Sequence, residues 1–326
     1  MTSPVLGVAL GDPGGIGPEV ILRAFSGSSC LPEAQYVIFG SSLVLEKEGK
    51  ALGIRLDPKP WDPEIKPETS GLFIREVECS LQPDIPRGPS AENGKASFLF
   101  FEEAVREARQ SNIQGIVTAP ISKKSWQLAG LPWRGHTEYL SERYPRAVMT
   151  FWSDELTVFL LSHHLPLKEA LKKVKRKILL RFFLEQHQIL EKTRPGEYEF
   201  LVAGLNPHAG EDGLLGDEEE NEIIPAIREA REAGVRISGP ISPDTIFLKV
   251  LGHPEKIVIA LYHDQGLIGF KLKSFDLGVN VTLGMPFVRT SPDHGTAFDI
   301  SGRGVAEPKS MVAAIRLAHR FAADPL

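Results

Sequence analysis

The chain has 326 residues, too many for one small core and enough for two α/β domains. Hydrophobic residues make up 42%, charged residues 24%, and the net charge is -5, which excludes a basic nucleic-acid binder. No apolar run approaches the roughly 20 residues that cross a bilayer, so no membrane partner is expected. The first apolar run, residues 6–10, has no basic segment before it and reads as a strand, not a signal peptide. Further strands are expected at 36–39, 116–118, 148–151, 156–161, 200–203, 257–261 and 279–282. Helical patterns at 96–109, 177–192, 219–233 and 309–322 alternate with them. Such alternation makes crossover units and mostly parallel sheets. Residues 57–89 hold seven prolines and read as an irregular surface excursion with antiparallel strands, one at 71–77. Residues 168–177 carry six Lys or Arg, either a solvated helix face or an anion-attracting rim. Cys30 and Cys79 are far apart, so a reducing cytoplasm and no disulfide are expected.

Three apolar runs end in histidine: one enters Ser162-His163-His164, one Asn206-Pro207-His208, and one His263 directly. Ligands of open parallel sheets bind beyond the carboxyl ends of the strands. Three imidazoles delivered there suit Zn²⁺ or another first-row divalent ion. Only one of the adjacent His163 and His164 can face such a site, and a mixed site using Asp264 is an alternative.

The first strand runs into Gly11-Asp12-Pro13-Gly14-Gly15-Ile16-Gly17-Pro18-Glu19 and then a helix. Glycines there admit an anion to backbone N–H groups or simply make a tight turn, and the Rossmann spacing is missing. His136 and Thr137 open a short helix, where a substrate anion is welcome. Lys271, Asn280 and Arg289 follow His263 at intervals that suit one pocket lining, and Lys and Arg grip phosphate or carboxylate. Asp244 is either a helix cap or an acid/base group. Residues 290–300, with Asp293, His294 and Gly295, are too rich in Gly, Pro and Asp for a strand and read as a ligand-shaped loop.

The glycine turn, Thr118-Ala119-Pro120-Ile121-Ser122-Lys123, Gly135-His136-Thr137-Glu138, Leu205-Asn206-Pro207-His208-Ala209-Gly210-Glu211, Tyr262-His263-Asp264-Gln265-Gly266 and Arg289-Thr290-Ser291-Pro292-Asp293-His294-Gly295-Thr296 stand in order along nearly the whole chain. Together they resemble the motif set of the 4-hydroxythreonine-4-phosphate dehydrogenase family of vitamin B6 biosynthesis. The resemblance implies two α/β/α domains like those of isocitrate and isopropylmalate dehydrogenases, with mostly parallel sheets and an active-site cleft between domains. Residues 1–135 and 288–326 would form the nucleotide-side domain, and 136–287 the metal and dimerisation domain. It further implies metal ligands at His164, His208 and His263, and substrate contacts at His136, Thr137, Lys271, Asn280 and Arg289. Gly11, Asp12, Asp293, His294 and Gly295 would face NAD or NADP. One divalent ion per active site (Zn, Mg, Co or Ni) and a homodimer with active sites at the subunit interface follow in the same way. The family carries proline at or beside Gly269, a departure that leaves room for altered substrate choice.

The implied reaction is oxidation of 4-phosphohydroxy-L-threonine at C3 with NAD(P)⁺. Decarboxylation to 3-amino-2-oxopropyl phosphate then follows. Asp244, Asp264 and Lys271 are the candidate catalytic bases. The alternatives are a D-threonate or D-erythronate 4-phosphate dehydrogenase, a dehydrogenase for a cyclic dihydrodiol acid, and a metal-dependent hydrolase or lyase without nucleotide.

Overall fold

The computed structural model describes residues 3–27, 31–64, 70–81, 84–193, 196 and 198–323. Cα packing groups 1–147 with 279–326 and sets 148–278 apart as a second unit. In chain order the first unit contributes β1 (Val5–Ala9), α1 (Gly17–Ser26), β2 (Gln35–Gly40), α2 (Ser42–Leu52), β3 (Lys59–Pro60), β4 (Gly71–Glu76), α3 (Ala91–Arg109), β5 (Gly115–Thr118), α4 (Lys123–Leu128) and α5 (His136–Arg143). The second contributes β6 (Val148–Trp152), β7 (Thr157–Leu160), α6 (Leu167–Leu171), α7 (Arg176–Thr193), β8 (Glu199–Ala203), α8 (Ile224–Glu232), β9 (Ile237–Ile241), α9 (Ile246–Val250), β10 (Lys256–Ala260) and α10 (His263–Ser274). The chain then returns to the first unit with β11 (Val279–Leu283), β12 (Val288–Pro292) and α11 (Lys309–Ala323).

In the first unit the strands lie in the order β3-β4-β2-β1-β5-β12-β11, all parallel except β11, which runs antiparallel to β12. Helices cover both faces, so β1, β2 and β5 read as near-continuous apolar runs. Helix α3 starts cleanly because the Ser90 side chain accepts the Asn93 N–H. Its Phe98 and Phe101 enter a core with Trp126 of α4 and Tyr139 and Leu140 of α5. Met285 and Phe287 join that core too, which is why 136–147 and 279–287 pack with the chain ends and not with the inserted segment.

The second unit orders its strands β6-β7-β10-β8-β9, with only β6 antiparallel. Strand β10 therefore lies between β7 and β8. His164 follows β7, His208 follows β8, and His263 is the first residue of α10 after β10.

Two expectations fail here. Strand β4 pairs parallel to β2, not antiparallel within the proline-rich excursion. Residues 290–292, expected in a loop, complete the buried strand β12. Cys79 is a free thiol, while Cys30 falls outside the described residues. Gly269 has the Phe247 ring so close that a Cβ would lie 2.7 Å from it.

Candidate active site

Register builds the first part of the site. Asn280 pairs with Ser291 and Thr282 with Arg289, so these four side chains share one face of the β11–β12 ladder. Arg289 is only 6% exposed. Its Nε and Nη2 donate to Thr118 Oγ1 at 3.0 and 2.6 Å, and Nη2 also donates to His136 Nδ1 at 3.1 Å. No carboxylate pairs with it among the described residues. Burial brings its pKa down to about 10, which leaves it cationic at neutral pH. His136 is buried beside it, and desolvation, then the guanidinium, hold its pKa well below the usual imidazole range. The ring is neutral. Arginine can only donate, so Nδ1 is the acceptor and the proton sits on Nε2, which is buried without a partner. Asn280 Oδ1 and Thr282 Oγ1 are buried and unpartnered as well. Each such atom costs about 1–3 kcal/mol until a ligand satisfies it. A buried cation with an idle imidazole N–H fits a phosphate or carboxylate. Thr137 stands half-buried in the first turn of α5.

The glycine turn and the late loop form a second part, again within the first unit. Gly11 has φ +77°, and a Cβ on it would lie 2.5 Å from the Pro120 carbonyl. The Asp12 carboxylate accepts from the Gly14 amide at 2.9 Å and the Ser125 hydroxyl at 2.7 Å. Burial pushes its pKa up, against those hydrogen bonds. Both oxygens of Asp12 are thus engaged in shaping the turn. The late loop, residues 293–308 between β12 and α11, is tied to this turn and to α1 at four points. Ile16 N–H donates to Thr296 O at 3.0 Å, and Ser301 Oγ to Gly14 O at 2.8 Å. Arg23 Nη2 donates to Gly304 O at 2.5 Å, and Ala306 N–H to Glu19 Oε1 at 2.9 Å. Sequence reading missed Glu19 and Arg23 as loop anchors. A Glu–Arg pair four residues apart on an otherwise apolar helix was the available clue. His294 Nδ1 donates to Gly295 O, its Nε2 is buried without a partner, and a Cβ on Gly295 would meet nothing within 4 Å. That opening, beside a free imidazole nitrogen, fits a polar ligand such as a nucleotide.

The histidines form the third part, in the second unit. The His164 and His263 rings lie 5.7 Å apart. They line a small cavity of about 230 Å³ with His163, Tyr262 and Asp264. His163 has its pKa lowered to about 4, by burial and then by His164 and His263. His263 Nδ1 donates to Asp264 Oδ1 at 2.7 Å, and His208 Nδ1 to Glu211 Oε1 at 2.5 Å. Tying Nδ1 to a carboxylate leaves the Nε2 lone pair for a metal, the usual orientation of ligand histidines. The Glu211 hydrogen bond and charge also raise the His208 pKa, with Asp244 adding to it. Asp244 accepts from Ser242 Oγ and caps no helix, while Lys271 sits half-buried on α10.

Backbone strain marks the same residues. His164 has φ +50°, and 208–213 is an unbroken left-handed run: His208 52°, Ala209 56°, Gly210 85°, Glu211 43°, Asp212 54° and Gly213 87°. Each non-glycine residue there costs about 1–2 kcal/mol, which points to a functional constraint. Among the described residues, however, no group of three or more His, Cys, Asp or Glu side chains is gathered closely enough to hold a metal ion. The His164 and His263 rings do come together, and both border the same cavity. Imidazole donors of this kind suit a divalent ion.

Parallel α/β units with histidines at strand ends and a buried arginine lacking a carboxylate define an enzyme-type protein that handles small anions. The chain belongs to the pyridoxal phosphate biosynthetic protein PdxA family, whose family model matches residues 32–318. It is 41% identical to the 4-hydroxythreonine-4-phosphate dehydrogenase of Aquifex aeolicus over 96% of each chain. It is 37% identical to the D-threonate 4-phosphate dehydrogenase of Cupriavidus necator over 96% of each. The crystal structure of 4-hydroxythreonine-4-phosphate dehydrogenase from Klebsiella pneumoniae superposes with a TM-score of 0.88 at 32% identity, covering 99% of this chain and 98% of that one.

Proposed function

We propose that this chain is an NAD(P)-dependent, metal-assisted dehydrogenase of pyridoxal 5'-phosphate biosynthesis. It oxidises 4-phosphohydroxy-L-threonine at C3, and the β-keto acid then loses CO₂ to give 3-amino-2-oxopropyl phosphate. The observation that carries this reading is the buried Arg289, with Thr118 and His136 but no carboxylate as partners. A phosphorylated acid supplies the missing counter-charge. Arg289 and the Nε2–H of His136 grip the phosphate or carboxylate, Asn280 accepts from a substrate donor, and Thr137 and Lys271 add further contacts. Holding the ends of the substrate fixes the C3–H bond in one orientation, a large share of the rate advantage in such reactions. His164, His208 and His263 would hold the divalent ion. Gly11 and Asp12 with Asp293, His294 and Gly295 would form the nucleotide side, where Asp12 acts by shaping the turn. When bound, the ion supplies acidity to the C3 hydroxyl and the nicotinamide supplies a hydride acceptor. The hydroxyl proton passes to Asp244, Asp264 or Lys271, or to a water that they hold.

The working unit is a homodimer with its active sites at the subunit interface, a reading supported by the lack, among the described residues of one chain, of a group of three or more metal-type side chains gathered around a single point. No helix among the described residues is long and apolar enough to cross a membrane, and the cytoplasm is the proposed compartment. D-threonate 4-phosphate is the second candidate substrate, since a relative of that name matches nearly as well as the first. Both acids suit the same anion pocket.

The deciding experiment follows NAD(P)⁺ reduction with each acid in turn, with and without chelator, in the wild type and in His208→Ala. We expect chelator to abolish turnover and His208→Ala to lose both bound metal and at least a hundredfold in kcat/KM. Unchanged metal content and activity in His208→Ala would sink the three-histidine site.

A further inference from the structure

The left-handed run at 208–213 is held from outside itself. Glu219 is 2% exposed, on the first turn of a π-helical segment, Glu219–Ile223, that leads into α8. Its Oε1 accepts the backbone N–H groups of Leu205 at 2.7 Å and Asn206 at 2.8 Å. Its Oε2 accepts Asn206 Nδ2 at 2.8 Å, and the same Nδ2 donates to Glu218 Oε2 at 2.7 Å. No Lys, Arg or His pairs with Glu219 among the described residues. The negative charge is therefore balanced by three N–H donors, all from the two residues that lead into Pro207-His208. Glycines let the loop close around it. A Cβ on Gly210 would lie 3.0 Å from Glu219 Oε2, and one on Gly204 3.3 Å from Oε1. Gly216, at φ +136°, presses against the Asn206 amide, where a Cβ would sit 2.3 Å from Nδ2.

We infer that Glu219 is a positioning residue for His208, acting through Asn206. A strained turn springs back unless its surroundings over-determine it. Here the grip falls on Leu205 and Asn206, one proline short of the turn's first member, His208. Glu211 fixes the ring and Glu219 fixes the backbone that carries it. Loosening the grip lets His208 leave the left-handed region and costs metal affinity, while the anion pocket on β12 keeps its geometry. This inference rests on the metal reading proposed above.

The test is titration of the metal-free protein with Co²⁺ alone, in the wild type, His208→Ala, Glu219→Gln and Asn206→Ala. Hydrogen exchange is measured on the same four proteins. Glu219→Gln turns an acceptor into a donor facing Asn206 Nδ2, and Asn206→Ala removes that donor from a half-buried site, so it decides the matter if Glu219→Gln does not fold. The expected result is Co²⁺ affinity ten- to a hundredfold weaker in both, the range for groups that orient metal ligands. Faster exchange should be confined to 204–213, and excess Co²⁺ should restore kcat with KM for the phosphorylated substrate unchanged. Affinity within twofold of wild type overturns the inference, and so does weakening accompanied by faster exchange throughout 148–278, which marks a general folding role. If Co²⁺ binding does not respond to His208→Ala, the metal reading itself fails. If it responds to His208→Ala but not to the other two, only the positioning role fails.

Discussion

At the scale of single residues, Arg289 is kept at a cost to the fold. A guanidinium 6% exposed with two neutral partners is poorly compensated for the water it loses. Replacing it with methionine removes that cost along with the anion's counter-charge. Arg289→Met is expected to raise the unfolding free energy of the ligand-free protein by about 1–3 kcal/mol. The same change should weaken competitive inhibition by inorganic phosphate at least a hundredfold. Denaturant melts and inhibition assays read the two effects, and a variant less stable than wild type would contradict the argument. The buried histidines set a pH dependence. His136 is held well below the usual range by desolvation and then Arg289, and His163 is brought to about 4 by burial and its two histidine neighbours. Unfolded, both take a proton near 6.5. The unfolded chain therefore binds more protons below that pH, and stability falls as pH drops through about 6.5 toward 4. Denaturation of metal-free protein at pH 7, 6 and 5 should show this slope, and His163→Leu should flatten it; an unaltered slope in that variant would remove His163 from the account.

At the scale of elements, α10 does two jobs. Its first residue is His263, and Leu267 and Phe270 pack it onto the core of the second unit. Its other side carries Ile268 and Leu272, and Phe275 continues that side just past its end, exposed to 64%, 85% and 75%. Such a stripe suits burial against a second copy. Leu272→Glu combined with Phe275→Glu is expected to convert the proposed dimer into monomers in sedimentation, with metal binding weakened alongside. A dimer that persists would place the interface elsewhere. This two-sided pattern also explains why the sequence hid the helix, since apolar residues on two opposite sides give no single face to detect. Strand β12 was hidden for the opposite reason. Thr290, Ser291 and Pro292 look like loop residues, yet they are buried: Ser291 shares the pocket face with Arg289, while Thr290 faces the other way and donates to the Ala314 carbonyl of α11. The strand-end histidines were legible because parallel strands deliver their next residues to one edge, and β7, β10 and β8 lie side by side. Strand direction was not legible at β4, since side-chain alternation is the same in both directions. Nor was the left-handed run, where only Gly210 and Gly213 hinted at unusual backbone.

At the scale of the whole molecule, the candidate groups divide between two packing units. The anion pocket and the anchored late loop belong to 1–147 with 279–326, and the three histidines to 148–278. Local strand-end patterning sufficed to find the histidines. Spacing also singled out Arg289, but its burial against Thr118 was hidden, because it depends on β12 inserting beside β5, a pairing across more than half the chain. That strand order also bears on how the protein is made. Strand β12 separates β5 from β11, so the first sheet cannot close until β12, far along the chain from β5, has left the ribosome. At ordinary translation speeds β5 waits on the order of ten to thirty seconds for its neighbour. Throughout that interval a nascent chain presents an open, apolar sheet edge, and the inserted unit is complete first. The anion pocket is thus among the last features to exist, and a ribosome that stalls before β12 leaves a chain better suited to aggregation than to binding anything.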